Sequence, residues 1–240
     1  MGVSLPVRGQ AGCHDAPMMK LVSVQVGRPR VVPPSGDGQP WDRQWKTAFW
    51  KEPVEGPVMV RVLGVDGDGQ AEVEIHGGSD QGVLCYSADH YPLWRRELDL
   101  PEMSGGGFGE NFTIAGQDER SVCIGDVYKV GEARVQVSKP RGPCFKISWR
   151  WQRQDLIRRV EASGRHGWYV RVLREGLVEP GQPLRLEDRP HPEWTVRAAG
   201  EVIRQRKQRP ELAAQLARCE ALAEEDRGHL LRAVRNSLAG

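Results

Sequence analysis

Apolar and polar positions alternate over Leu21-Val22-Ser23-Val24-Gln25-Val26, as a half-buried strand requires. The period-two pattern returns at Val58–Val62, Ala71–His76, Ser121–Val130, Ala133–Val137, Gly167–Leu173 and Leu184–Leu186. Turn residues separate these runs. Asp66-Gly67-Asp68-Gly69 is one turn, Gly131-Glu132 joins a predicted hairpin, and Glu175–Gly181 makes further turns. Gly27–Trp41 is rich in Pro and Gly and is expected to be a loop. Trp41, Trp45, Phe49 and Trp50 crowd together after it. They fit a hydrophobic patch closing one end of a β-rich body better than an aromatic platform for a ligand.

Helical spacing is scarce until late. Ser87–Leu98 predicts a helix, with Ser87 as its cap and Tyr91, Trp94 and Leu98 on one face. Pro92 sits far in for that start. Gln152–Ala162 predicts another, with Leu156 and Val160 sharing a face and Gly164 ending it. From Thr195 onward Ala, Leu, Glu, Arg and Gln dominate. Val196, Ala199 and Ile203 fit one helix. Leu212, Leu216 and Cys219 fit a second, with Pro210 suited to its first turn. Leu230, Leu231 and Val234 fit a third. The expected organisation is a disordered extension over 1–18, a β-rich domain over 19–190 and a small three-helix domain over 191–240.

Composition adds exclusions. The 28 glycines and 17 prolines agree with a turn-rich β body. A formal net charge of +2 gives no argument for a nucleic-acid partner. No apolar run approaches membrane-spanning length, and the first residues contain no apolar segment of a secretory signal. A soluble, cytoplasmic protein with no membrane partner is expected. The five cysteines are scattered, odd in number and without a C-x-x-C pair. That argues against a disulfide framework or a zinc ribbon and fits a reducing compartment.

Candidate chemistry centres on Ser138-Lys139-Pro140-Arg141-Gly142-Pro143-Cys144-Phe145-Lys146. Two prolines stiffen the chain around an Arg-Gly turn, and one thiol follows it. Cations near a thiol favour thiolate, the form that attacks and that ligates metals. The alternative for such a Cys is a small buried residue at a strand end. Two glycine-rich segments are also candidates. His76-Gly77-Gly78-Ser79-Asp80 places a His at a strand end before a permissive backbone. Gly105-Gly106-Gly107 places bare N–H groups where an anion can sit, although a flexible loop is the simpler expectation. The Asp66–Gly69 turn lacks the spacing and the terminal Glu of a calcium loop.

Five stretches in order resemble MOSC domains: His76-Gly77-Gly78, Gly107-Phe108-Gly109-Glu110-Asn111-Phe112, Ile124-Gly125-Asp126-Val127-Tyr128, Lys139–Lys146 and Gly167–Leu173. The three-helix tail resembles the YiiM-like branch. The resemblance spans Lys20 to the C-terminus. It implies a mainly β fold with some α, a MOSC-type β-barrel followed by a small three-helix domain. It implies the pterin-based molybdenum cofactor, with Cys144 as the metal ligand and Lys139, Arg141, Lys146, Gly107, Gly109 and Asn111 around the cofactor. It also implies reduction of N-hydroxylated substrates, such as purines or amidoximes, with electrons from a separate reductase. His76, Asp80 and Glu110 are then candidates for proton relay beside Cys144. The alternative is a persulfide or cofactor carrier without turnover. In either case the cavity is expected where His76, the loop 105–111 and the turn Lys139–Cys144 meet.

Overall fold

The computed structural model describes residues 19–71, 77–142 and 144–238. His76, Pro143, the expected extension over 1–18 and most of the expected strand Ala71–His76 lie outside the described residues.

The strands are β1 (Lys20–Val26), β2 (Arg30–Val32), β3 (Trp45–Thr47), β4 (Glu52–Pro53), β5 (Val58–Arg61), β6 (Gly64–Val65), β7 (Val83–Ser87), β8 (Phe112–Ala115), β9 (Val127–Val130), β10 (Ala133–Pro140), β11 (Trp168–Arg174), β12 (Gly176–Val178) and β13 (Leu184–Asp188). The main sheet runs β13-β9-β10-β11-β7-β8-β1-β4 and is antiparallel except for the parallel pair β7–β8. Its far edges meet. Leu21 N–H donates to the Gln182 carbonyl at 2.9 Å and Leu184 N–H to the Met19 carbonyl at 2.9 Å. Those bonds stitch the start of β13 to the start of β1, so the sheet curls into a barrel and covers its own edge. The inward positions Leu21, Val24, Val83, Val130, Val135, Val137 and Val170 fill it, and each is at most 2% exposed.

The helices are α1 (Tyr91–Leu98), α2 (Phe145–Trp151), α3 (Leu156–Ser163), α4 (Val196–Arg204), α5 (Pro210–Leu216) and α6 (Glu224–Leu238). No helix among the described residues is long and apolar enough to cross a membrane. The tail helices follow the spacing seen in the sequence, except that α5 ends at Leu216 and Cys219 is buried in the turn after it rather than on the helix. They share one hydrophobic core with the barrel: Val196, Ala199, Leu216, Leu222 and Leu230 belong to the same buried cluster as Val135 and Val137.

Several expectations are corrected. Ser87 caps a 3-10 turn (Ala88–His90) by accepting from Asp89 N–H, and α1 starts only at Tyr91, which puts Pro92 in its first turn. The helix expected at Gln152–Ala162 is α3, which is preceded by a separate helix, α2, that the pattern did not show. Gln152 takes a left-handed conformation (φ 51°) and ends α2, and α3 starts at Leu156. α2 escaped notice because Phe145, Trp149 and Trp151 are poor helix formers whose bulk hides the period. The strand expected from Ser121 begins at Val127. The preceding turn is held by the fully buried Asp126 carboxylate, which accepts from Cys123 N–H (2.9 Å), Tyr128 Oη (3.0 Å) and Arg189 (2.7 Å). Gly27–Trp41 also contains a strand, β2, which pairs with β3.

A second buried cluster lies outside the barrel, where Phe49, Tyr86, Tyr91, Trp94, Met103, Phe108, Ile147 and Trp151 pack together. Phe108 stacks on Tyr86 at 4.3 Å between ring centroids. This cluster locks the glycine segment in place. The loop expected to be flexible is a packed element.

Candidate functional site

A cavity of about 270 Å³ opens at the barrel rim beside the N-terminus of α2. One wall is the end of β10 and the turn after it, contributing Lys139, Arg141, Gly142, Cys144 and Lys146. A second wall comes from Phe49, Lys51 and the Asp68–Ala71 segment, and Gly109 and Asn111 supply a third. Cys144 is half-buried and stands in extended backbone (φ −133°, ψ 126°) immediately before α2. β10 carries the chain to this point because it pairs with β11 as far as Pro140–Trp168, and Arg141 N–H then donates to the Gly167 carbonyl at 3.1 Å.

Four cations, Lys51, Lys139, Arg141 and Lys146, face two carboxylates, Asp68 and Glu225. The cavity therefore favours an anion. Arg141 is 7% exposed, and its buried Nη1 has no hydrogen-bond partner. A buried guanidinium with an unsatisfied N–H is costly. Its Cζ lies 5.9 Å above the Phe49 ring, a modest cation–π contact that leaves the N–H groups available. Lys139 is differently placed. Its Nζ donates to Glu225 Oε2 at 3.1 Å and lies 3.4 Å from Asp226 Oδ2, both on α6. Those two carboxylates raise the Lys139 pKa against an opposing burial effect that is the largest single influence.

Lys51 and Asp68 are the residues that sequence reasoning missed. Lys51 Nζ bonds both Asp68 carboxylate oxygens, at 2.5 and 2.6 Å, and the side chains are 8% and 10% exposed. Asp68 also accepts from Gly27 N–H at 2.7 Å and from Asn111 Nδ2 at 2.8 Å. Burial lowers the Lys51 pKa, and Asp68 only partly opposes it. Their convergence depends on β4 pairing with β1 and on the turn after β6, so no local pattern announces it.

The candidate residues separate into three groups. Cys144, Lys139, Arg141, Lys146, Gly109 and Asn111 line the cavity. Asp80 lies in a neighbouring depression with Gly77, Gly78, Lys139 and Glu225. There it pairs with Arg171 at 2.8 Å and accepts from Glu224 N–H at 3.0 Å, bracing the barrel against α6. Glu110 and Gly107 are away from the lining. Glu110 is 0% exposed and accepts from Gly106 N–H (2.8 Å), Phe108 N–H (3.1 Å), Thr113 Oγ1 (2.9 Å) and the Tyr91 hydroxyl. The glycine segment therefore does hold an anion, but that anion is the chain's own carboxylate. Gly107 lies under Trp151, whose Nε1 donates to its carbonyl at 2.7 Å. Gly109 has φ +73°, and a Cβ there would meet the Phe49 ring at 2.9 Å, so this glycine makes room for Phe49 rather than for a ligand. Gly142 differs, because a Cβ there would meet nothing within 4 Å. Phe49, assigned by pattern to an end-closing patch, is part of the cavity wall.

A cofactor carrying a phosphate and a soft metal fits this donor set. The phosphate matches the unsatisfied Arg141 and the cation excess, and the half-buried Cys144 supplies a sulfur donor.

Comparison with known proteins agrees with the barrel. A family model described as MOSC domain matches residues 72–185. The chain is 40% identical over 169 residues to the uncharacterized protein YflK of Bacillus subtilis, a match covering 70% of this chain and 73% of YflK. It is 39% identical over 165 residues to a protein named Reductase from Gibberella moniliformis, covering 67% of this chain and 29% of that longer protein. The crystal structure of YiiM from Geobacillus stearothermophilus matches with a TM-score of 0.74 and 30% identity, over 90% of this chain and 99% of that one. By its barrel, its helical tail and these relatives, the chain belongs to the MOSC domain family, on the YiiM-like side.

Proposed function

We propose that this protein binds the pterin-based molybdenum cofactor in the cavity at Cys144 and reduces N-hydroxylated compounds such as N-hydroxylated purines or amidoximes. The observation that carries the proposal is the buried Arg141 guanidinium, unsatisfied at Nη1, in the same cavity as the one half-buried thiol among the described cysteines. The relative named Reductase adds support for redox chemistry.

Bound there, the cofactor supplies a two-electron change at molybdenum, with electrons delivered by a separate reductase. The chain's own residues do the rest. Cys144 Sγ offers the soft ligand. Arg141, with Lys139 and Lys146 beside it, orients the phosphate by charge-assisted hydrogen bonds. Phe49 and Leu84 keep part of the wall apolar and exclude water. Cleavage of an N–O bond to amine and water takes up two protons. Lys51 Nζ holds one on the cavity wall, and burial makes that proton easier to release than from a free lysine. Asp68 keeps the ammonium aimed and neutralises it between turnovers.

The test is expression in a host that makes the cofactor, followed by molybdenum and pterin assay. Wild-type protein should carry both in near-equimolar amount, and Cys144→Ser should lose molybdenum while keeping the same melting temperature. Retention of molybdenum by the Ser variant would rule out Cys144 as ligand. Turnover of an N-hydroxylated purine with an artificial electron donor separates the reductase from a persulfide or cofactor carrier, which would bind without turnover.

A further inference from the structure

Two cations that face the cavity are held in opposite ways. Arg141 Nη1 is buried and unpartnered, whereas Lys139 is already bound to carboxylates from the C-terminal helix. Those two carboxylates are themselves unequal. The Asp226 side chain is 11% exposed and packed behind Lys139, and the Glu225 side chain is 60% exposed and lines the cavity. An exposed carboxylate can leave its partner at little cost, because water solvates it once it has moved. Glu225 thus occupies the place on Lys139 that an anionic ligand would take.

We infer that Glu225 is an internal competitor for Lys139, a specificity-determining residue lent by α6 to the barrel, and that a phosphate-bearing ligand binds by displacing it. The inference rests on the reading of the cavity as an anion site. Helix stability alone would also put acidic residues in the first turn of α6, where Glu224, Glu225 and Asp226 all stand. That explanation treats Glu224 and Glu225 alike. Only Glu225 lines the cavity and reaches Lys139, and Glu224 instead donates its backbone N–H to Asp80. The position of α6 is fixed independently of the ion pair, since Ala223 N–H donates to the Ser138 carbonyl at 2.8 Å. Removal of the Glu225 charge therefore leaves the helix docked and Lys139 paired with Asp226 alone, which does not line the cavity.

The experiment titrates full-length protein with inorganic phosphate and follows backbone amide shifts by NMR, with Gly142 as the reporter in the cavity. Glu225→Gln should bind phosphate about threefold to fivefold more tightly than wild type, the upper part of the range for loss of one part-exposed ion pair. Glu224→Gln should gain less than twofold, and the gain from Glu225→Gln should vanish in a Lys139→Met background. Unchanged or weaker binding by Glu225→Gln overturns the inference and leaves the anion site standing. An equal gain from Glu224→Gln, or a gain that survives Lys139→Met, reduces the effect to net charge and also overturns it. If wild type and every variant leave the Gly142 amide unmoved, the anion site itself fails and the inference with it.

Discussion

The glycine segment before Glu110 and the turn before Cys144 are both built to hold negative charge, and they hold it in opposite senses. In the first, two backbone N–H groups, Thr113 and Tyr91 converge on a carboxylate supplied four residues further along the same loop. Every donor is satisfied, the site is closed, and the surrounding aromatic cluster keeps it so. In the second, a buried guanidinium keeps an unmatched N–H, and the cations lining the cavity outnumber the carboxylates. A satisfied anion site is structural, and an unsatisfied one needs a ligand. The distinction lies in the count of donors and acceptors, not in residue type.

The largest expected effect tests the closed site. Glu110→Ala leaves four buried donors without their acceptor, and it should cost about 3–5 kcal/mol of stability. Chemical denaturation measures this directly. A loss below about 1 kcal/mol would mean that the loop relaxes and that its rigidity comes from Phe108 and Met103 alone.

The next tests the positive character around the open site. His166 is buried, its two ring nitrogens lack partners, and its pKa falls to about 4, mainly through burial, with Arg204, Arg141 and Arg197 also disfavouring a second positive charge against the pull of Glu119. A histidine depressed in the folded state stabilises fully above its unfolded pKa near 6.5. That contribution is lost as the pH falls from about 6.5 toward about 4. Between pH 7 and pH 4.5 wild type should lose roughly 2–3 kcal/mol more than His166→Phe in urea unfolding. Parallel pH profiles would show that folding leaves the His166 pKa at its unfolded value.

The smallest effect falls on the open site alone. Arg141→Met should weaken phosphate binding about tenfold, as loss of one charge-assisted contact predicts, and should leave stability unchanged or slightly raised. A clear loss of stability would show that Arg141 has a structural acceptor after all, and the contrast between the two sites would collapse.

Much of the scaffold was legible in the chain. Period-two runs marked β1, β5, β10 and β11 because one face of each packs into the shared core, whereas β13 buries only Leu184 and leaves Leu186 exposed; period 3.6 marked the three tail helices because one face of each is buried. The Pro-Arg-Gly-Pro-Cys stretch stood out because local stiffness, charge and a thiol coincide within nine residues. Resemblance to a family then gave the barrel and the order of its motifs.

What the tertiary structure alone decided is which charges meet. Lys51 and Asp68 are 17 residues apart and Lys139 and Glu225 are 86 apart. Nothing in a local window links such pairs, since side-chain period reports the buried face of an element but not what stands opposite it. Glu110 looked available for proton transfer, and Gly105–Gly107 for a ligand, until both were found to satisfy one another. Arg141 looked like one cation among several until burial removed its access to water and left Nη1 without an acceptor. Sequence determines which polar groups a segment offers. Only the folded geometry, by desolvating some of them and pairing others, determines which remain unsatisfied and therefore able to bind.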